Sequence, residues 1–315
     1  MLRPILQRLG SAAFTLFLGS VLLFVVLEVL PGDPAAVMLG LEARPDTLAA
    51  VRAELRLDQP ALPRYLAWVG GMLQGDFGLS YTYRVPVADL IAERLSLTLP
   101  LAFLAIMIST ALALPLGTLA AAQHGKAADA GVMLFAQLGV AVPNFWIGLL
   151  LILLFSLTWP LFPVGSFPGW GDGLLPGLRA LFLPALALAL PQAAILARVT
   201  RAAVLEVLGE DYIRTARAKG LSNSRVLIRH ALRAALVPVV TILGLQFSFL
   251  VAGAILVENI FALPGLGRLL YQAMNQRDVI VVKDVAMLLA AFVILVNLLV
   301  DLAYLWLDPR LRRGG

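Results

Sequence analysis

The chain has no cysteine and only two histidines, His124 and His230, among its 315 residues. Disulfides and thiolate metal sites are therefore excluded. Two histidines so far apart do not make a histidine-rich metal cage. Charge is also scarce, at 14% of residues, where a soluble domain carries about 25%. No phosphate-binding loop is present. Gly125-Lys126 is followed by Ala127, and Ala120, not glycine, stands five residues upstream of Gly125. G-x-S-x-G and H-E-x-x-H are missing as well, so the chain carries no recognisable catalytic set of its own.

Apolar residues are abundant, at 61%, and the mean hydropathy is +0.92. One core of ordinary size cannot hide that surplus, so much of it faces lipid. A helix needs about 20 residues to cross the hydrocarbon layer. The charge-poor stretches predict six spans, at about 9–30, 98–121, 131–155, 180–200, 236–257 and 285–306. The fold class expected is an all-α polytopic membrane protein. The first span follows Arg3 and Arg8, as a signal peptide would. It is too long for a signal core and no A-x-A site follows it, so a retained span is expected.

Six spans put both termini on one side. If that side is the cytoplasm, the inner segments hold 14 of the 24 basic residues but five of the 19 acids. The positive-inside bias supports this orientation, and topology then accounts for the net charge of +5.

Three stretches outside the spans are long enough to carry function. Pro31–Arg94 should form an outer cap, with helices over Asp46–Leu57 and Pro63–Leu73 ended by Gly75-Asp76-Phe77-Gly78. Ser156–Arg179 is rich in proline, glycine and tryptophan and reads as an outer loop at headgroup level. Arg198–Arg233 is the third, with eight basic residues and three acids in 36 positions on the inner face. Within it Asp211–Lys219 reads as a short helix. Gly220 suits the left-handed position past a helix end, with Leu221 as its hydrophobic cap. Ser222 is placed to cap a second helix that runs Asn223–Leu236 into the fifth span. Such an elbow could be a stiff connector, a helix-turn-helix for DNA, or a docking helix for a cytoplasmic partner. A recognition helix held against a bilayer at both ends cannot enter a major groove, and a plain connector does not need 36 residues. Docking is the preferred reading.

The residues Asp211-Tyr212-Ile213-Arg214-Thr215-Ala216-Arg217-Ala218-Lys219-Gly220-Leu221-Ser222 resemble the cytoplasmic loop of ABC importer permeases. They are most similar to the peptide branch, which includes dipeptide, oligopeptide, glutathione and nickel systems. Gly220 matches the loop glycine of the wider pattern and Ala216 its second alanine. Thr215 replaces the first alanine, Arg214 replaces the glutamate, and Arg233 stands where that pattern has proline. The likeness extends over Leu30-Pro31-Gly32-Asp33-Pro34-Ala35, Gly75-Asp76-Phe77-Gly78-Leu79-Ser80, Val142-Pro143-Asn144-Phe145-Trp146, Glu258-Asn259-Ile260-Phe261, Pro264-Gly265-Leu266-Gly267 and Leu307-Asp308-Pro309-Arg310.

The resemblance implies a type I importer transmembrane domain over 96–308. It is preceded by the first helix and cap (1–95) and followed by a cytoplasmic tail (309–315). It implies no ATPase site in this chain and no cofactor bound by it. ATP and magnesium would be used by two cytoplasmic ATPase subunits. A second homologous permease subunit and an extracytoplasmic peptide-binding protein would complete the assembly in the bacterial inner membrane. The loop 201–233 would couple to the ATPases through Asp211, Tyr212, Arg214, Thr215, Ala216, Lys219, Gly220, Leu221 and Ser222. Nickel chelates or glutathione are alternative cargoes. A stand-alone ion-coupled transporter is the rival class, and it would need more mid-span carboxylates and internal repeats than this chain shows.

Charged residues in or near spans are functional candidates by default. Glu28, Glu258 and Asp301 are the pore or structural candidates, and Asp284 joins them. Glu28, Glu258 and Asp284 fall near span ends, where water or headgroups are expected to reach them. Asp301 is expected to pair with Arg310 or a neighbouring subunit.

Overall fold

A computed structural model describes residues 2–29, 33–40, 44–54 and 57–307. Leu30-Pro31-Gly32, the Asp308–Arg310 motif and the tail 309–315 lie outside the described residues. The chain is helical almost throughout: α1 Leu2–Phe24, α2 Pro34–Leu39, α3 Pro45–Glu54, α4 Ala61–Leu73, α5 Val87–Ala122, α6 Ala127–Ala141, α7 Asn144–Ile152, α8 Leu174–Leu208, α9 Asp211–Ala218, α10 Asn223–Arg225, α11 Arg233–Ile260, α12 Leu266–Gln276 and α13 Val279–Leu307. Wider π-helical turns extend α1 over Val25–Val29, extend α7 over Leu153–Thr158, and join α10 to α11 over Val226–Leu232.

Five of these segments are long and apolar enough to cross a membrane, and a sixth is made by α6 and α7 together. The predicted span 131–155 is not one helix. It bends by 100° between α6 and α7. Val142-Pro143 is the cause: proline disfavours helical backbone in the residue before it, and Val142 is extended (φ −92°, ψ 123°). The other spans run longer than charge counting predicted. Helix α5 begins at Val87, because Asp89, Glu93 and Arg94 lie on its first turns without ending it.

The chain falls into two compact units, Met1–Thr98 with Pro264–Leu298, and Leu99–Leu263 with the segment from Leu299 on. In the first, Val87, Leu90 and Ile91 pack with Leu266, Leu269, Ala273, Val281 and Val285. Buried Asp278 ties this core together. Its carboxylate accepts from Ser80 Oγ (2.6 Å), from the Thr82 amide (3.0 Å) and from the Val281 amide at the start of α13 (3.2 Å). The two cap helices form as expected, the first as α3 and the second as α4.

In the second unit α8 is central. It packs against α6, α7 and α11, and 67% of its most apolar window is buried, against 11% for the first span. Small residues allow the close approach. A Cβ on Gly139 would stand 2.5 Å from Ala194 Cβ, and one on Gly117 would stand 2.5 Å from the Ala197 oxygen. Gln246 Nε2 adds an interhelical bond to the Gln192 oxygen (3.0 Å). The outer loop lacks regular structure between Trp159 and Gly173. It is pinned by Arg179, which donates twice to the Leu161 oxygen (2.6 and 3.2 Å).

Candidate functional site

The inner elbow forms as its sequence predicts, with one exception. Helix α9 ends at Ala218, and Gly220 takes the left-handed conformation (φ +84°). The Gly220 amide donates to the Arg217 oxygen (2.9 Å) and the Leu221 amide to the Ala216 oxygen (3.3 Å). That pair of bonds is a Schellman closure, which satisfies carbonyls the helix end would otherwise strand. Leu221 turns inward onto Ile213, Ala216 and Val226, with Val207 and Leu208 of α8 beneath. The elbow is thereby seated on the end of α8 by a small apolar core. The exception is Ser222. Its backbone is extended as a cap requires and its carbonyl accepts from the Val226 amide (3.0 Å), but its side chain makes no capping bond. The following turns widen to π-helix over Val226–Leu232 before α11 begins, so the link into the fifth span is continuous.

This seating divides the predicted coupling residues into two sets. Ala216 is buried and Leu221 half-buried; they hold the elbow in shape. Asp211, Tyr212, Arg214, Thr215, Lys219, Gly220 and Ser222 are exposed. Tyr212 is 47% exposed. Arg214 reaches Asp211 at 3.4 Å on the open surface, and Thr215 Oγ1 donates back to the Asp211 oxygen (3.1 Å). Arg217, Arg225 and Arg229 are exposed too. The elbow therefore presents a basic face with one aromatic, held rigid from below, which suits docking into a groove.

At the α5–α6 turn lies a cluster that sequence reading did not find. Asp129, at the start of α6, accepts from Arg201 of α8 through both oxygens (2.5 and 2.8 Å). The same carboxylate accepts from the Gly125 amide (3.0 Å) and faces His124 Nδ1 (3.0 Å). The bidentate pair ties the α5–α6 turn to α8. The 72 residues between Asp129 and Arg201 hid it.

The four span charges separate. Glu258 is wholly buried, not within reach of water as its position at a span end suggested, and its chain neighbours Val257, Phe261 and Leu263 are buried with it. Asp284 is buried as well: Val281 and Val285, on either side of it, belong to the apolar core of the first unit, and its carboxylate accepts from Trp68 Nε1 (2.6 Å). Glu28 bonds Lys283 and stands 3.4 Å from Arg64. Asp301 is exposed, and the Arg310 expected to pair with it lies outside the described residues. No group of three metal-ligating side chains occurs among the described residues.

Comparison with known proteins agrees with this architecture. Residues 113–313 match the family described as binding-protein-dependent transport system inner membrane component, and residues 1–102 match its amino-terminal part. A Brucella abortus (strain 2308) protein assigned as a peptide transport system permease is 44% identical over 308 residues, covering 98% of each chain. The dipeptide transport system permease protein DppB of Escherichia coli (strain K12) is 42% identical over 337 residues, covering 99% of each. The crystal structure of an amino acid ABC transporter with histidines shares the fold, with a TM-score of 0.52 at 18% identity over 69% of this chain and 94% of that one. The chain belongs to the family of inner membrane components of binding-protein-dependent transport systems.

Proposed function

We propose that the chain is the translocating subunit of an ATP-driven importer of short peptides. The peptide assignment rests on relatives at 42–44% identity over nearly the whole chain, named for peptide and dipeptide transport. The single observation that carries the coupling is the elbow: a Schellman-closed helix with an exposed basic face, seated on α8 and joined by a short turn to the helical run that leads into α11.

In this reading the termini and the elbow face the cytoplasm. Two ATPase subunits hydrolyse ATP with magnesium, and each engages the α9 region of one permease subunit. This chain pairs with a second, homologous permease, and an extracytoplasmic binding protein delivers the peptide. Closure of the ATPase pair moves α9. Because α9 sits on the end of α8 through Ile213 and Ala216, and because the backbone from Asn223 to α11 is helical without a break, the displacement tilts core helices instead of dissipating in a loop. Rigid-body rocking of this kind is the usual route to alternating access. Residues 201–233 form the coupling loop, 1–95 the first helix and cap, and 96–308 the transport domain.

Reconstitution tests it. The chain is placed in proteoliposomes with its second permease, ATPases and binding protein. Labelled dialanine should accumulate only with ATP, and peptide-loaded binding protein should stimulate hydrolysis. Accumulation driven by an ion gradient without ATPase subunits would refute the reading.

A further inference from the structure

Helix α4 touches the first span well inside its outer end. Tyr65 Oη and Ser20 Oγ are 2.8 Å apart. The Phe24 ring meets Tyr65 edge-on at 5.5 Å and stacks on Trp68 at 6.2 Å. Arg64 stands 3.4 Å from Glu28. The span runs Ile5–Val29, which is about 37 Å at about 1.5 Å per residue, and Ser20 lies about 13 Å inside its outer end. Hydrocarbon takes about 30 Å of a bilayer. Even if the whole excess of the span projected outward, Ser20 would sit about 6 Å below the acyl boundary. Trp68 also reaches into α13, where its Nε1 donates to Asp284 (2.6 Å), past the start of that helix at Val279. These contacts hold α4 at the level of the acyl boundary, not in the water above it.

The opposite side of α4 is apolar and open. Leu62, Leu66, Val69 and Leu73 recur at the spacing of one helical stripe, and the three leucines are 59–84% exposed. Arg64 is the one charge in the 13 residues of α4, and it is paired with Glu28 on the packed side. Helix α3 of the same cap differs. It carries Asp46, Arg52 and Glu54 in ten residues, as a helix facing water does. A stripe of exposed leucines without charge marks a surface made for an apolar neighbour. At the same level of the first span Leu18 and Leu22 are exposed as well, so the medium around this helix pair is lipid.

We infer that α4 is a membrane helix that does not span. It lies along the headgroup–acyl boundary of the outer leaflet, packed on α1 by one side, and sets Leu62, Leu66 and Leu73 into the acyl chains. The cap is thereby seated in lipid through α4, while α3 is the part left in water. The inference requires that the chain span a membrane in the orientation given above, and it holds for any cargo.

The test uses the assembled permease–ATPase complex in nanodiscs, and the lack of native cysteine allows single labels. Leu62→Cys and Leu66→Cys each carry a bimane fluorophore, with Thr47→Cys, exposed on α3, as the water-facing control. Iodide should quench the α4 labels at least about tenfold less than the α3 label, because hydrocarbon excludes an anion. A nitroxide on the fifth acyl carbon of the lipid should quench the α4 labels and spare the α3 label. Adding the binding protein should change neither result. Iodide quenching on α4 equal to that on α3 would overturn the inference, since the stripe would then face water. Shielding of α4 from both quenchers, before or after the binding protein is added, would overturn it too, since protein would then cover the stripe. Should a label block assembly, unlabelled Leu66→Cys is read by its reaction with a charged maleimide. That reaction should be at least about tenfold slower than at Thr47→Cys, and equal rates would overturn the inference. The peptide reading fails separately, by absence of dialanine uptake, which leaves these quenching results unchanged.

Discussion

Gly220→Ala isolates the elbow's closure from everything else. Gly220 holds φ +84°, and a Cβ there would meet nothing within 4 Å. The substitution therefore adds no clash, and its effect is the backbone cost of an L-residue in the left-handed region, about 1–2 kcal/mol. That cost corresponds to about a 5–30-fold shift in the equilibrium between closed and open elbow. The bonds at stake are those from the Gly220 and Leu221 amides to Arg217 and Ala216. Amide hydrogen exchange over 218–222 in nanodiscs should accelerate by about that 5–30-fold factor, while amides in the middle of α8 stay unchanged. Gly220→Asn should fall between, because asparagine tolerates left-handed backbone better than alanine. Peptide transported per ATP should decline in the same order: glycine, asparagine, alanine. Unchanged exchange in Gly220→Ala would show that the closure does not hold the elbow. Equal losses in the alanine and asparagine variants would show that backbone strain is not the cause.

Other consequences follow from particular contacts. Tyr212→Ala removes an exposed ring and should leave folding intact while weakening ATPase capture about tenfold or more, as loss of an aromatic hot spot does; co-purification from detergent measures it. Arg201→Met strands the Asp129 carboxylate and should lower the melting temperature more than the double variant Arg201→Met/Asp129→Asn does, which differential scanning fluorimetry reads. Gly139→Val drives new atoms into Ala194 and should cost about 1–3 kcal/mol through forced separation of α6 and α8, again visible as a lower melting temperature. Asp33 is held below the usual carboxylate range, first by its hydrogen bonds from Arg52. Its depressed value means that it stabilises the cap above the ordinary carboxylate pKa and loses that contribution as pH falls. Asp33→Asn should flatten the acid limb of a cap-stability profile, and an unchanged limb would contradict the assignment.

The apolar runs showed the spans because lipid demands long charge-free helices, and that demand is local in sequence. The same locality made the elbow readable: a helix, a glycine at its end and the residue after it are neighbours in the chain. What charge counting missed was the break at Val142-Pro143, where composition stays apolar and only the backbone rule for the residue before proline reports the bend. It also misplaced Glu258 and Asp284, because position along an apolar run does not say which face of the helix packs inward, and both side chains fall on packed faces. The Asp129–Arg201 tie and the Trp68–Asp284 bond were out of reach for a different reason. Their members are 72 and 216 residues apart, and no spacing rule joins residues across such distances. Ser222 shows the converse: the cap position was legible, the bond was not, since a hydroxyl can occupy that position without turning to the amides.

The central claim is that α9 passes the ATPase movement into this chain, and the absence of native cysteine makes it directly measurable. Thr215→Cys, exposed on α9, gives the chain a single thiol to cross-link with a cysteine placed in the ATPase groove. The account predicts a reducible adduct whose formation stops ATP-driven peptide uptake and whose reduction restores it. An intact complex that gives no adduct, or full uptake with the adduct formed, would contradict it.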